Sequence, residues 1–380
     1  MEILHILLIA SRGGCERDCW CLCSGWKDVQ HSVLVVGPPG PMSEDFENAG
    51  AKVTHLDALR VSRRERARAI ANHLRGSRPQ AVIVWHGMPE LPIIGHALAH
   101  WQGIIYVHGG NPARKDLLQD IKYLAAERVW PSPHRPVYVC CSQYVADSFE
   151  LSHYLRRFQR VVVPNGVELP PAKLVHQPRM LSASGVIVAG MMARLDVIKD
   201  QSTVIRALAM ARRKGFPRLR LELLGDGPHR SHLAALAETE RLNVQAGDVK
   251  FLGNRAAVYE AMAGWDMFLY GTTKAEGFGN ALAEAMMLGL PSVVTDVGPM
   301  REVGGNKAAV AYVPPADPVA MADAIVRLVP DTARRVQMSR DARERAETEF
   351  CPAMFSHRYA EVLMSQSTIF HPARPAPTEC

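Results

Sequence analysis

The chain has 380 residues and a mass of 41.9 kDa, enough for two domains at ~100–200 residues each. Its 48% hydrophobic and 22% charged content, with a mean hydropathy of -0.05, excludes a disordered or fibrous chain. The 44 Lys plus Arg exceed the 38 Asp plus Glu by only 6, and no apolar run approaches the ~18–20 residues of a membrane helix, so neither a polybasic nucleic-acid platform nor a membrane span is expected.

In chain order, short β-branched runs alternate with helical stretches, the pattern of parallel α/β sheets. The first strands are predicted at Ile3–Ala10, Ser32–Gly37, Ala51–Leu56, Ala81–Trp85, Gly103–His108 and Val137–Cys141. The opening passes directly from Met1-Glu2 into the first of them, so no secretory leader and a cytoplasmic location are expected. The Arg-rich segment 60–78, with Arg63, Arg64, Arg66 and Arg68, lacks interleaved aromatics and reads as a solvated helix face. Val163-Pro164-Asn165-Gly166 interrupts the pattern, and Pro170-Pro171 and Pro178 follow with the composition of a linker. Alternation restarts with strands at Val186–Gly190, Arg220–Leu224, Val249–Leu252, Met267–Tyr270, Ser292–Thr295 and Ala309–Val313. Helices at Asp317–Leu328, Thr332–Glu349 and Cys351–Gln366 close the chain.

This predicts an N-terminal α/β domain over 1–165 and a C-terminal one over 166–349. A helical segment at 350–370 is free to cross back to the first domain, and a disordered tail is expected at 371–380. Ligands of such sheets bind beyond the C-terminal ends of the strands, so two such domains imply a cleft.

Eight cysteines include a crowded set, Cys15, Cys19, Cys21 and Cys23. On a helix Cys15 and Cys23 would lie ~12 Å apart along the axis, too far for one ion at Zn–S ~2.3 Å. No metal site is expected, and the cysteines read as small apolar packing residues.

The loops after strands carry the chemistry. Between the strand ending near Tyr270 and a helix running to about Leu288 lies Glu276-Gly277-Phe278-Gly279-Asn280, with Glu284 inside the helix. Free N–H groups at that helix start can receive phosphate or sugar oxygens, and paired carboxylates accept hydrogen bonds from sugar diols. Arg194 and Lys199 follow another strand and suit an anion. Gly225-Asp226-Gly227 is a tight turn of low specificity. In the first half, Gly13-Gly14 follows strand one, Trp85-His86 ends strand four, and His108-Gly109-Gly110-Asn111 ends strand five. There is no G-x-G-x-x-G after a strand and no G-x-x-x-x-G-K-[ST], which disfavours a dehydrogenase or a kinase.

Glu276 to Glu284 matches the E-x7-E signature of retaining, nucleotide-sugar-dependent glycosyltransferases, and the chain resembles glycosyltransferase family 4 of the GT-B fold. Supporting matches occur in the family's order: Gly13-Gly14 with Glu16, His108, Ser142-Gln143-Tyr144-Val145, Pro164-Asn165-Gly166-Val167, Arg194 with Lys199-Asp200, Gly225-Asp226-Gly227-Pro228, and Leu290 to Val294 followed by Glu302. The resemblance implies two Rossmann-like domains facing across a cleft. It implies that Glu284 holds the ribose, that Glu276 and the amides of Gly277, Phe278, Gly279 and Asn280 hold the donor hexose, and that Arg194 and Lys199 grip the diphosphate. His108 would sit beside the sugar and Gly14 near the phosphate and acceptor. Because the cations and carboxylates that suit the donor lie between Arg194 and Glu284, the polar strand ends of the first half, with Gly13, His86, Asn111 and Lys115, are expected to take the acceptor. Gly271-Thr272-Thr273-Lys274 and His108-Gly109-Gly110-Asn111 depart from the family's usual Pro-Ser and His-Asp.

The expected activity is retaining hexose transfer, without a metal, from a nucleoside-diphosphate sugar, taken as a UDP-sugar, to a hydroxyl acceptor. Alternatives are an epimerase or hydrolase of the same fold and a non-catalytic nucleotide-sugar-binding subunit. No stretch reads as clearly amphipathic and membrane-facing, which favours a small-molecule acceptor such as a natural-product or aminocyclitol core over a lipid-linked or cell-surface glycan.

Overall fold

The alternation of β-branched runs and helices builds two separate parallel sheets. The computed structural model describes residues 2–76, 79–85, 91–182 and 185–366. His86 and the tail 371–380 lie outside the described residues. The chain divides into two compact units, residues 1–167 with the segment from Phe350 onward, and residues 168–349.

The first unit runs β1 (Glu2–Leu7), α1 (Gly14–Gly25), β2 (Gln30–Val35), α2 (Ser43–Asn48), β3 (Lys52–His55), α3 (Arg63–Gly76), β4 (Ala81–Val84), α4 (Leu91–Ala97), β5 (Ile105–Gly109), α5 (Leu117–Val129), β6 (Val137–Cys140), α6 (Gln143–Ser148) and β7 (Arg160–Val162). Its seven strands are ordered β3-β2-β1-β4-β5-β6-β7, all parallel. The strand order reverses direction at β1 and β4, the switch point where ligands of doubly wound sheets collect. β1 is buried from Ile3 to Leu7, as a central strand covered on both faces must be.

The second unit runs β8 (Ile187–Met192), α7 (Gln201–Arg213), β9 (Leu219–Leu224), α8 (Arg230–Thr239), β10 (Val249–Gly253), α9 (Val258–Met262), β11 (Met267–Tyr270), α10 (Asn280–Leu288), β12 (Ser292–Thr295), α11 (Gly298–Gly304), β13 (Val310–Val313), α12 (Pro318–Leu328) and α13 (Thr332–Phe350). Its sheet is ordered β10-β9-β8-β11-β12-β13 and is parallel, with the switch between β8 and β11. Gly190 is required there, because a Cβ on it would fall 1.9 Å from the Trp265 ring.

A final helix, α14 (Pro352–Gln366), returns to the first unit. It lies against α1 so closely that a Cβ on Gly25 would meet the Pro352 carbonyl at 2.4 Å, and Phe355, Tyr359, Ala360 and Leu363 enter the first core.

Two features differ from the sequence reading. A seventh strand, β7, pairs with β6 where only the approach to a break was expected. Val161 to Val163 were available as a strand, but the Pro164-Asn165-Gly166 signal beside them dominated. The Pro-rich stretch after Val167 is fastened to the second unit rather than spanning open space. The His176 amide donates to the Leu288 carbonyl at 2.8 Å, and Arg179 forms a two-pronged ion pair with Asp266 at 2.7 and 2.8 Å.

Helix α5 carries an exposed apolar face. It exposes Leu117, Leu118, Ile121, Leu124 and Val129, with Leu118 72% accessible, and the basic side chains of Arg114, Lys115, Lys122 and Arg128 are exposed around it. Apolar residues at these spacings read equally well as a core face, and periodicity does not say which helix face is covered. Among the described residues no helix is long and apolar enough to cross a membrane.

Candidate functional site

In the second unit the loops after β8 and β11 converge on one buried ion pair. After β8 the chain turns through Arg194 and Leu195 into a single helical turn at Val197–Lys199, started by Asp196, whose Oδ1 accepts from the Ile198 amide at 3.0 Å. Asp200 then takes a left-handed conformation (φ 39°) and caps α7. This double cap turns Lys199 back toward the end of β11. The β9 turn supports the same loop: a Cβ on Gly225 would sit 2.2 Å from the Ala193 carbonyl and one on Gly227 2.4 Å from that of Leu195. Gly225-Asp226-Gly227, uninformative as a motif, is thus the buttress of the Arg194 loop.

After β11, Gly271 passes so near Asp200 that a Cβ would fall 2.6 Å from its carbonyl oxygen. The Thr272 amide donates to Thr295 Oγ1 at 3.0 Å and the Thr273 amide to the Ile198 carbonyl at 3.0 Å, which ties the β11 loop to β12 on one side and the Lys199 turn on the other.

At the centre, Lys199 Nζ lies 2.5 Å from Glu276 Oε2 and 3.1 Å from Tyr270 Oη. The Tyr270 hydroxyl donates to Glu276 Oε2 at 2.9 Å, and Thr272 Oγ1 is 3.2 Å from the same oxygen. Burial works against charge on Glu276, but the Lys199 ammonium and the hydroxyl donors outweigh it and hold the carboxyl below its ordinary value. Burial likewise opposes the charge on Lys199, yet its Tyr270 and Glu276 contacts raise its pKa. The same burial, with Glu276 beside it, raises the Tyr270 phenol and keeps it a neutral donor.

Lys199 and Glu276 are therefore brought together, whereas the sequence reading gave them separate ligand groups. Arg194 stays apart: its side chain is 70% exposed, with Nε 3.7 Å from Asp196 Oδ2. The Gly277 amide, expected free, donates to Glu276 Oε1 at 3.3 Å. Phe278 is buried, and Gly279, at φ 97°, starts α10 with Met300 packed where its Cβ would be. Asn280 opens α10 and Glu284 is buried one turn further on. Tyr270 and Thr272 were missed in sequence. A hydroxyl-bearing residue at the C-terminal end of a strand that feeds the acidic loop is the signal that could have found them.

In the first unit, Gly13 starts α1 and Gly14 is its first residue. Glu16 folds back over this start, taking a hydrogen bond from Ser11 at 2.6 Å, with its carboxylate lying where a Gly13 Cβ would be. A carboxylate near a helix N-terminus is favourable. His108, at the end of β5, is buried. Its Nε2 is 3.6 Å from Asp18 Oδ2, its Nδ1 is 3.4 Å from the Tyr359 hydroxyl, and its ring packs on Trp85 at 5.0 Å. Gly110 is shaped to that ring and to Cys15. Asp18 also accepts from Asn165 Nδ2 at 2.9 Å, so α1, the residues after β7 and α14 meet behind the histidine. Asn111 and Lys115 are exposed in the loop that follows β5. Ser142, from the Ser-Gln-Tyr-Val motif, caps α6 by accepting from the Val145 amide at 3.1 Å.

Two family models match. Residues 12–169 match "Glycosyltransferase Family 4", and residues 185–331 match "Glycosyl transferases group 1". Comparison with curated protein sequences gives no match. Among solved structures, Anabaena Alr3699/HepE in complex with UDP and glucose superposes with a TM-score of 0.75 at 20% identity, over 96% of this chain and 100% of that one. A glycosyltransferase from Rickettsia africae gives 0.73 at 14% identity over 96% and 98%. The lipopolysaccharide outer core galactosyltransferase WaaB in its apo form gives 0.66 at 15% over 97% and 100%. With two parallel α/β units, and two glycosyltransferase models that together span most of the sequence, the chain is a glycosyltransferase of the GT-B fold, of the kind that resembles family 4.

Proposed function

We propose that the protein transfers a hexose from a UDP-sugar to an acceptor hydroxyl with retention at the anomeric carbon. The observation that carries this reading is the convergence of Lys199, Tyr270, Thr272 and Glu276 at the C-terminal ends of β8 and β11, beside the start of α10. The UDP, glucose and UDP-glucose of the Anabaena HepE complexes support a uridine donor. In this assignment the second unit holds the donor: Glu284 takes the ribose, Glu276 and the α10 N-terminus take the hexose hydroxyls, and Arg194 and Lys199 face the diphosphate. His108 and the strand ends around Gly13, Gly14, Asn111 and Lys115 in the first unit serve the sugar and the acceptor.

The bond from C1 to the β-phosphate oxygen breaks while C1 bonds to the acceptor oxygen on the same face. The acceptor's proton passes to the departing phosphate oxygen. No protein nucleophile is invoked. The two cations and the helix start stabilise charge growing on the leaving diphosphate; removing one such donor costs about 3 kcal/mol. No divalent ion is assigned to this step, so omitting Mg²⁺ and Mn²⁺ from the assay should leave turnover unchanged. The decisive experiment is turnover against a panel of nucleoside-diphosphate sugars, with the anomeric configuration of the product read by NMR. Inversion refutes retention. Free sugar as the only product, an epimerised donor, or no turnover at all would favour the hydrolase, epimerase or binding-subunit readings.

One observation favours a lipid-linked acceptor over the small molecule that sequence alone favoured. The exposed leucine and isoleucine face of α5, bordered by Arg114, Lys115, Lys122 and Arg128, suits the headgroup boundary of an anionic bilayer. Sedimentation with phosphatidylglycerol vesicles, and not with phosphatidylcholine, is expected; equal recovery with both refutes it.

A further inference from the structure

The cysteines of α1 cannot form a site among themselves, but the sheet beneath them supplies what they lack. Cys19 and Cys23 are one turn apart on the face of α1 turned to the core, and His5 lies below them on β1. One ligand atom from each of His5, Cys19 and Cys23 lies within 4.8 Å of the others, and all three residues are fully buried. His31 belongs to the same face, because Ile3 pairs with His31 and His5 with Val33 across β1 and β2. His5 Nε2 is 2.8 Å from His31 Nδ1, and the Cys23 thiol is within hydrogen-bonding reach of both rings.

We propose that His5, Cys19 and Cys23, with His31 as fourth ligand, form a structural zinc site. The two-sulfur, two-nitrogen donor set is that of tetrahedral zinc. With Zn–S ~2.3 Å and Zn–N ~2.0 Å, the edges of such a tetrahedron are about 3.3–3.8 Å. Three ligand atoms already within 4.8 Å of one another therefore need movements of an ångström or less.

A partner that orients the His31 imidazole is also in place. His31 Nε2 lies 2.8 Å from the Trp26 carbonyl, which fixes its proton there and leaves Nδ1 as the basic nitrogen. Trp85 Nε1 donates to His5 Nδ1 at 3.1 Å. Without a metal, one hydrogen bond joins His5 Nε2 and His31 Nδ1. Binding costs both His5 ring hydrogen bonds, the one to His31 Nδ1 and the one from Trp85, and releases the thiol protons to solvent. The surroundings are otherwise hydrocarbon, with Ile3, Leu7, Val33 and Val35 on the same face of the sheet. Two imidazoles and two thiols are thus gathered where aliphatic side chains would pack as well. No donor-binding residue is among them, so the role is to pin α1 to the centre of the first sheet, as a bound metal contributes directly to folding.

The test uses the full-length protein. Elemental analysis after purification should find about one zinc per chain. Protein stripped under denaturing conditions and refolded with Co²⁺ should show sulfur-to-cobalt charge-transfer absorption in the near ultraviolet. Cys19→Ser and Cys23→Ser should each abolish that band, and Cys15→Ser should keep it. Should either buried variant fail to fold, the wild-type measurements still decide. Absence of both zinc and the cobalt band overturns the proposal, and so does a band that survives in Cys19→Ser and Cys23→Ser.

Discussion

Replacing Lys199 with methionine tests the centre of the proposed donor site without changing its volume greatly. The carboxylate of Glu276 would stay buried at 8% exposure, keeping its hydrogen bonds from Tyr270 at 2.9 Å and Thr272 at 3.2 Å but losing the ammonium at 2.5 Å. Breaking one side of a buried pair costs about 3–5 kcal/mol. With the Gly277 amide, three donors remain on the carboxylate, so the lower end, about 3 kcal/mol, is expected. Adding Glu276→Gln removes the stranded charge, and the double variant should recover about 2 kcal/mol of that loss, within the range of couplings between residues in contact.

The pH dependence should change sign as well. In the native protein the Glu276 carboxyl is held down, so its contribution is present above the unfolded carboxyl value of about 4.3 and is lost as pH falls through the folded value. Without Lys199, burial prevails and raises that carboxyl, so the variant should gain stability relative to wild type as pH falls from 7 to 5. The measurement is denaturant-dependent hydrogen exchange of the β11 and α10 amides in the full chain, which reads this region alone. A coupling below about 0.5 kcal/mol, or a variant that weakens in parallel with wild type on acidification, would show that the ion pair does not organise the site.

Arg194→Ala should lower turnover by ~10²-fold or more, with stability within about 0.5 kcal/mol because the side chain is 70% exposed; near-normal turnover would remove it from the diphosphate. Glu284→Ala should weaken UDP binding by ~10-fold, the value of one hydrogen bond lost to a buried partner, whereas Glu276→Gln should leave UDP binding near wild type and harm use of the sugar; calorimetry giving the reverse order would exchange their roles. Gly271→Ala should destabilise the second unit by about 1–3 kcal/mol, since its Cβ would meet the Asp200 carbonyl at 2.6 Å, and unaltered thermal unfolding would mean that this close approach is dispensable.

The parallel α/β architecture was legible because buried strands announce themselves: Met267–Tyr270 and Ser292–Thr295 have the bounds read from their apolar runs. Strand ends were less legible. β1 stops at Leu7 although the apolar run continues to Ala10, because the pairing partners in β2 and β4 end opposite Leu7 and Ile6. β7 was hidden because a three-residue edge strand exists through its pairing with β6, a contact that no local pattern records. The same holds for α5. Its sequence gives a helix, but whether Leu118 is core or surface depends on what the fold lays against it.

Within the candidate site, position along the chain identified residues, and only three-dimensional structure revealed their relations. Glu276, Lys199 and Arg194 could be picked from loops that follow strands. That Lys199 and Glu276 neutralise one another follows from adjacency of β8 and β11 and from the left-handed Asp200 that turns the lysine inward. The consequence is chemical: a paired lysine and glutamate present little net charge, so in the proposed donor assignment the exposed Arg194 is the cation that a diphosphate would meet first. The α1 cysteines show the same limit from the other side. Spacing on one helix argued against a metal because it compared Cys15 with Cys23. The histidine grouped with Cys19 and Cys23 comes from β1, which reaches them only when the helix folds back over the sheet. A single-helix distance argument therefore bounds what one element can bind alone and says nothing about what a helix and a sheet bind together.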